Sequence, residues 1–382
     1  MKVLHVIPSL SRVHGGPTNA IWTMAKALTG RGYEVTVLTT DNDGSGRRSA
    51  AEPAVDGDGV RIVMLPQTSE FYTTSLRSIG WLIRHVRHFD VVHTHALFSF
   101  MPVIAAWVTR LRGVPLIVRP LGTLNAYGLS VRRPLLKRVS LALIERPILR
   151  NAFAVHCTSE AEVRDVLAVC PQAKTVVIPL SVPAFDRAPD AAIRALLGDR
   201  SGPVVLFLSR MDPKKNIEVL LDAFALLLAE RNSLTLLIAG DGDAAYVQSL
   251  RARAKALRID QQVLWAGRVD GVTKAAALSA ATVFALPSHS ENFGIAAAEA
   301  LAAGVPCVLS PGVAIAAQVA DCGAGIVAEA TATATADAIA VYLDSPDRRE
   351  AASRAARQMA VREYSEEVMG ARLAALYVQT LS

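Results

Sequence analysis

The chain has 382 residues, 52% of them hydrophobic, with 40 Lys+Arg against 34 Asp+Glu and a formal net charge of +6. That much apolar sequence can bury two cores and excludes a disordered or fibrous protein. The charge is uneven: residues 1–190 hold 22 basic against 14 acidic side chains, a net +8, and residues 191–382 hold 18 against 20, a net −2. An anionic partner is therefore expected on the first half. No nucleic-acid motif accompanies the charge, so nucleic acid is not the expected partner, and a basic nucleic-acid-binding protein stays only as the less favoured non-enzymatic reading. The four cysteines, Cys157, Cys170, Cys307 and Cys322, show no C-x2-C spacing and read as reduced thiols of a cytoplasmic protein. MKVLHVIPSL reads as a strand rather than a signal peptide. The uncharged stretch within 300–320 is broken by Gly304, Pro306, Pro311 and Gly312 and reads as helix, strand and loop of a soluble core.

In chain order, strand-like apolar runs fall at 2–7, 35–40, 61–65, 91–95, 116–118, 153–157 and 176–179, with helical patterns between most of them. Doubly buried strands alternating with helices predict a parallel α/β sheet. Residues 181–203, SVPAFDRAPDAAIRALLGDRSGP, break the pattern with prolines and charges and read as a linker. A second series follows at 204–209, 234–239, 263–266, 283–286, 307–309 and 325–327, and the tail after Asp347 is helical and amphipathic. The expected fold class is α/β, with two facing Rossmann-like domains at 1–183 and 203–363.

Ligands of open parallel sheets bind beyond the carboxyl ends of the strands. The turn after the first strand, SLSRVHGGPTNA, carries Gly15 and Gly16, whose bare backbones can approach a phosphate. It lacks the full G-x-G-x-x-G pattern, so an NAD fingerprint is not supported. VVHTHALFS places His93 and His95 on one face at the end of another strand. Two such histidines can hold a metal, but no third ligand is evident nearby, and His95 reads as polar lining of a cleft. SRMDPKKN places Arg210 and Lys215 five apart, with Lys214 as a neighbouring candidate; two cations on one loop can neutralise a diphosphate, although alone the turn reads as a solvated one. SHSENFGIAAAEALAAGV, 288–305, sets Glu291 before a helix start and Glu299 inside the helix. Phe293, Gly294 and Ile295 would form its first turn, where free N–H groups and the helix dipole attract an anion. Glu299 would then reach hydroxyls beside a phosphate and Glu291 hydroxyls beyond it.

The 288–305 string resembles the signature of the retaining nucleotide-sugar glycosyltransferases of the GT-B fold, glycosyltransferase family 4, and Arg210 with Lys215 resembles that family's Arg-x4-Lys motif. The resemblance implies a GT-B fold with an active-site cleft between the domains and a last helix, 365–382, that packs back on the first. It implies transfer of a hexose from a nucleotide diphosphate sugar with retention, needing no metal or other cofactor. It also implies roles: Glu291 on sugar hydroxyls, Glu299 on the ribose, Arg210 and Lys215 on the diphosphate, and His95 lining the reacting centre. The Gly15–Gly16 loop would close over the donor phosphates. IAGDGD resembles the family's G-D-G segment and brings Gly240 to the nucleotide, and WAGRVD would offer backbone contacts to the base at Arg268 and Val269. In VRPLGTLNAYG the chain departs from the family, whose members often carry P-H-G or P-R-G: Leu121 stands at that position and cannot donate a hydrogen bond. Arg119 or Asn125 would take over, or the acceptor contact differs.

The base and sugar stay open between GDP-mannose and a UDP-sugar. Sugar-nucleotide epimerases and phosphorylases of the same fold are the other enzymatic readings, and the acid set or cofactor lysine they need is not evident. Residues 129–150 pack Arg132, Arg133, Lys137 and Arg138 among leucines, and SIGWLIRHVRHF sets Trp81, Leu82 and Ile83 beside Arg84 and Arg87. With the net +8, these basic and apolar faces suggest docking on the anionic inner face of the cytoplasmic membrane. A lipid-linked saccharide of exopolysaccharide or lipopolysaccharide synthesis is then the expected acceptor, and a soluble acceptor the alternative.

Overall fold

Runs such as VVLFL and TLLIA have no polar face to show to water, so they become interior strands of parallel sheets covered on both sides. The computed structural model describes residues 1–11, 16–42, 54–55, 58–125, 129, 134–231 and 233–381. It divides into two units, Met1–Ser181 with Glu366–Ser382, and Val182–Ser365.

The first unit holds strands β1 (Lys2–Ser9), β2 (Glu34–Thr40), β3 (Ala54–Val55), β4 (Arg61–Leu65), β5 (Val91–His95), β6 (Leu116–Arg119), β7 (Ala154–Cys157) and β8 (Thr175–Val177). They form one sheet in the order β3-β4-β2-β1-β5-β6-β7-β8. All neighbours run parallel except β3, which pairs antiparallel with β4. β3 was not expected, because two residues carry no readable periodicity. The carboxyl-terminal helix Glu366–Val378 packs on helix Gly16–Thr29. Gly370 permits the approach, since a Cβ there would meet the Cβ of Ala27 at 3.0 Å.

The second unit holds β9 (Val204–Leu208), β10 (Thr235–Ala239), β11 (Val263–Gly267), β12 (Val283–Leu286), β13 (Cys307–Leu309) and β14 (Gly325–Val327), all parallel, in the order β11-β10-β9-β12-β13-β14. In both sheets the order reverses beside the first strand, between β1 and β5 and between β9 and β12, which is where doubly wound sheets bind ligands. Every strand expected from an apolar run is present, with ends moved by two residues or fewer.

The segment expected to link the domains belongs instead to the second unit, which begins at Val182 rather than 203. Prolines interrupt its periodicity but not its packing. Val182 N donates to Tyr364 O (2.9 Å), Ala188 N donates to Ser279 Oγ (3.0 Å), and helix Asp190–Leu197 lies on helix Gly271–Ala280.

Candidate active site

β9 and β12 are neighbours at the switch point of the second sheet, so the loops that follow them meet. After β9, Asp212 Oδ1 accepts from Lys214 N (3.1 Å) and closes a 3-10 turn, Pro213–Lys215. The turn aims Lys215 inward and leaves Arg210 outward: the Arg210 side chain is 69% exposed, with Asp212 3.7 Å away. After β12, His289 N donates to Lys214 O (2.8 Å), which stitches the two loops together. The Lys215 ammonium pairs with Glu291 Oε1 at side-chain exposures of only 9% and 12%, and Ser288 Oγ donates to the same oxygen at 3.1 Å. Burial pulls the Lys215 ammonium below its usual range, and the Glu291 carboxylate pulls back. Each charge of such a pair is costly without the other.

The helix after Glu291 runs Ile295–Ala302 and starts two residues later than expected. Gly294 is its N-cap at φ 93°, a left-handed conformation that only glycine adopts cheaply, and it offers no side-chain cap, so the first N–H groups stay open to an anion. Phe293 is not part of that turn; it is buried edge-to-face against Tyr364, with centroids 5.4 Å apart. Glu299 is held by Lys274 (Nζ to Oε1, 2.6 Å), a partner that sequence reading missed. Gly240 and Gly242 sit where a Cβ would overlap the Ser209 and Met211 carbonyls, so the G-D-G segment needs glycine for packing. Gly240 N also donates to Gly267 O (2.7 Å). Beside them Met211, Trp265 and Arg251 line a cavity of about 480 Å³, with the Arg251 guanidinium 5.0 Å from the Trp265 ring centroid. Arg268, exposed, and Val269, half-buried, follow β11 at its edge.

In the first unit the polar groups lie inside the sheet. Parallel pairing of β1 with β5 sets His5 opposite His93, and pairing of β5 with β6 sets His95 opposite Arg119. His5 Nδ1 meets His95 Nε2 (2.8 Å), His93 Nδ1 meets the Tyr377 hydroxyl (2.8 Å), and His156 joins His93 Nε2 (3.3 Å) to the Ile178 carbonyl (2.8 Å). All four imidazoles are fully buried. Burial drives His5 and His156 down to about 3 and His93 and His95 well below their usual range, with Arg119 adding to the effect; the rings are therefore neutral.

His5 is thus a third candidate ligand that the sequence did not reveal: among the described residues, His5, His93 and His95 are a group that could hold a metal, their ring nitrogens all within 4.8 Å. The rings instead bond one another, and the buried Arg119 guanidinium beside them opposes a dication. His95, expected as cleft lining, is enclosed; its Nδ1 has no partner among the described residues. Arg119, expected to reach an acceptor, is likewise buried, at 1% exposure, because β6 carries it into the sheet. Burial lowers its pKa to about 10.

Leu121 occupies a left-handed conformation (φ 59°), and Gly122 N donates to Glu162 Oε1 (2.6 Å). Asn125 is half-buried, its carbonyl accepting from Leu129 N. Gly16 opens helix Gly16–Thr29. Gly15, Arg132 and Arg133 lie outside the described residues. Arg138 is exposed, whereas Lys137 is half-buried, its Nζ 6.0 Å from the Phe98 ring centroid. The helix carrying Trp81, Arg77–His85, packs on helix Phe100–Arg112, with Leu82 buried in the core.

Residues 15–181 match the family described as glycosyl transferase 4-like domain, and residues 191–359 match glycosyl transferases group 1. A D-inositol 3-phosphate glycosyltransferase of Kineococcus radiotolerans is 30% identical, over 90% of this chain and 86% of its own. A phosphatidyl-myo-inositol mannosyltransferase of Mycobacterium leprae is 28% identical, over 99% and 96%. An alpha-monoglucosyldiacylglycerol synthase of Streptococcus pneumoniae is 27% identical, over 77% and 67%. Among solved structures, sucrose-phosphate synthase from Thermosynechococcus elongatus shares the fold at TM-score 0.81 and 22% identity, covering 100% of this chain and 99% of that one. Two Rossmann-like sheets, a cation loop and an acid helix joined at a switch point, and these matches along both halves agree: the chain belongs to the family 4 type glycosyltransferases of the GT-B fold.

Proposed function

We propose that this glycosyltransferase moves a hexose, with retention, from a nucleotide diphosphate sugar to a lipid-linked saccharide at the surface of an anionic membrane. The observation that carries the donor site is the buried Lys215–Glu291 pair, built from two loops at the switch point of the second sheet. Arg210 and Lys215 neutralise the diphosphate as the bond to the sugar breaks, and the open first turn at Gly294–Ile295 receives a phosphate oxygen. Glu291 holds sugar hydroxyls while tied to Lys215, and Glu299 holds the ribose. The base lies toward Gly240, Arg268 and Val269, where the 480 Å³ cavity supplies room. Side-chain cations do the work of a metal in this scheme, and the departing phosphate takes the acceptor proton.

The lipid acceptor is supported by two of the relatives, which are by name enzymes of phosphatidyl-inositol and diacylglycerol glycosides. Exposed Leu135, Val139 and Leu143 beside Arg138 support a membrane-facing surface on the first unit. GDP-mannose is the donor favoured, with a UDP-sugar as the second. The 30% identical relative acts by name on an inositol phosphate, which favours a soluble phosphorylated acceptor as the second reading. A thermal-shift panel of nucleotide sugars tests the donor site: a ligand at 100 times its Kd stabilises by about 2.7 kcal/mol. No shift with any GDP- or UDP-sugar would sink the donor assignment, and transfer abolished by EDTA and restored by Mg2+ would sink the metal-free scheme.

A further inference from the structure

The amino-terminal edge of the first sheet carries a feature that the donor chemistry does not use. Helix Phe100–Arg112 ends at Gly113, and Val114 and Pro115 lead into β6; Ala152 and Phe153 lead into β7; Lys174 precedes β8. These segments line a half-open, mainly apolar cavity of about 400 Å³, walled by Trp107, Leu116, Ile148 and Phe153. A second hollow adjoins it, and the two share Arg110, Pro147 and Asn151. The cations on the two walls are Arg110, Lys174, Arg146 and Arg150, and neither wall contains an Asp or Glu. None of the four forms an ion pair among the described residues. Trp107, in the wall, is 46% exposed.

An apolar hollow with a rim of unpaired cations complements one chemistry, an anionic head joined to a hydrocarbon chain. We infer that this cavity seats one anionic phospholipid, its phosphate among Arg110, Lys174, Arg146 and Arg150 and one acyl chain along Trp107 and Ile148. It lies at the amino-terminal end of the sheet, opposite the carboxyl ends of the strands where ligands of open parallel sheets bind. It opens at the start of β6, whose other end carries Arg119 three residues on, roughly 10 Å away. It therefore anchors the protein on the membrane rather than presenting a substrate. The inference rests on the membrane reading above and adds the lipid class and the residues that hold it.

The test titrates the whole chain with dihexanoyl-phosphatidylglycerol below its micelle concentration and follows tryptophan fluorescence, using Trp107→Phe to identify the Trp107 signal. A saturable change is expected that is absent in Trp107→Phe, at least tenfold weaker in Arg110→Gln/Lys174→Gln, and unaltered in Arg194→Gln/Arg200→Gln, exposed cations of the second unit. An equal response to dihexanoyl-phosphatidylcholine, the same response to inorganic phosphate alone, or no change in Arg110→Gln/Lys174→Gln would each overturn the site. Nucleotide-sugar thermal shifts are measured on the same variant; retained shifts together with lost lipid response separate failure of this site from failure of the donor assignment.

Discussion

In the second sheet β9, β10 and β12 contain a single polar side chain, Thr235, and the charged groups begin beyond the last strand residue, at Arg210, Lys215 and Glu291. In the first sheet His5, His93, His95, His156 and Arg119 lie within the strands themselves. The two sheets share a winding and a switch point. One hangs its chemistry on loops anchored to a dry sheet, so that the loops can change without endangering the core. The other builds polar groups into its core, where each must stay neutral or be bonded to survive burial. The same topology thus gives one half that tolerates charge and another whose integrity depends on protonation.

The strongest way to break this contrast is acid. The folded-state pKa values of His5 and His156 are depressed to about 3, so between that value and the ordinary 6.5 the unfolded chain takes up protons that the folded chain refuses. Stability is present above about 6.5 and is lost as pH falls toward 3, by several kcal/mol for this set of buried imidazoles. The second unit has His289 alone, in a loop. Hydrogen exchange at pH 7.5 and pH 5, corrected for intrinsic rates, should show β1 and β5 losing protection well before β9 and β10. Equal retention in both sheets at pH 5 would mean that the imidazole cluster carries no such liability.

Next in size is the loop pair. Lys215→Ala should lower turnover at saturating donor and acceptor by roughly 100- to 1000-fold, or about 3–4 kcal/mol at the transition state. It should also destabilise the second unit by about 3–5 kcal/mol, because Glu291 is left charged and buried without a partner. Lys215→Met with Glu291→Gln removes both charges and should recover stability without recovering transfer. A single variant within a fewfold of wild-type activity would remove Lys215 from the machinery.

The contrast also explains what could be read from the chain. Arg-x4-Lys and the 288–305 string are local: each lies within one loop and one helix start, so their residue types and spacing were visible together, as were the apolar runs that became strands. The histidine cluster is assembled from β1, β5 and β7 by contacts that span 63 residues or more, and the tail adds Tyr377. Nothing local in MKVLHV marks His5 as different from any strand residue. Lys274 was hidden for the same reason, 25 residues from Glu299 on another helix. Phe293 looked like part of a helix start, and only its packing on Tyr364 shows otherwise.

A smaller titration runs the opposite way within the first unit and sharpens its polar character. Glu145 closes a π-helical turn, Leu141–Glu145, and accepts from Phe98 N (2.9 Å) and Ser140 Oγ (3.4 Å). Burial raises its pKa to about 7. Between the ordinary 4.5 and that value the folded state holds a proton the unfolded state has released, so this group lowers stability as pH rises through that window. Glu145→Gln removes the titration. Its stability relative to wild type, from urea unfolding, should climb from pH 4.5 to 7 by at most about 3 kcal/mol and then level off. A difference constant with pH would show that Glu145 does not titrate there.

The smallest effect separates the two acids of the 288–305 string. Glu299 is held by Lys274 at 2.6 Å and Glu291 by Lys215, so each is already placed, one along the helix and one before it. A ribose contact persists when the sugar has gone, whereas a contact to the sugar does not. Glu299→Gln should therefore weaken binding of the bare nucleoside diphosphate about tenfold, worth roughly 1.4 kcal/mol. Glu291→Gln should leave that affinity within about twofold while turnover of the intact donor collapses. Substituting Lys274 by Met should mimic part of the Glu299 loss, because the carboxylate would lose the ammonium that fixes its direction without losing its own ability to accept hydroxyls. Calorimetry giving equal nucleotide losses for Glu299→Gln and Glu291→Gln would contradict the division of roles, since both carboxylates would then contact the part of the donor that remains after transfer.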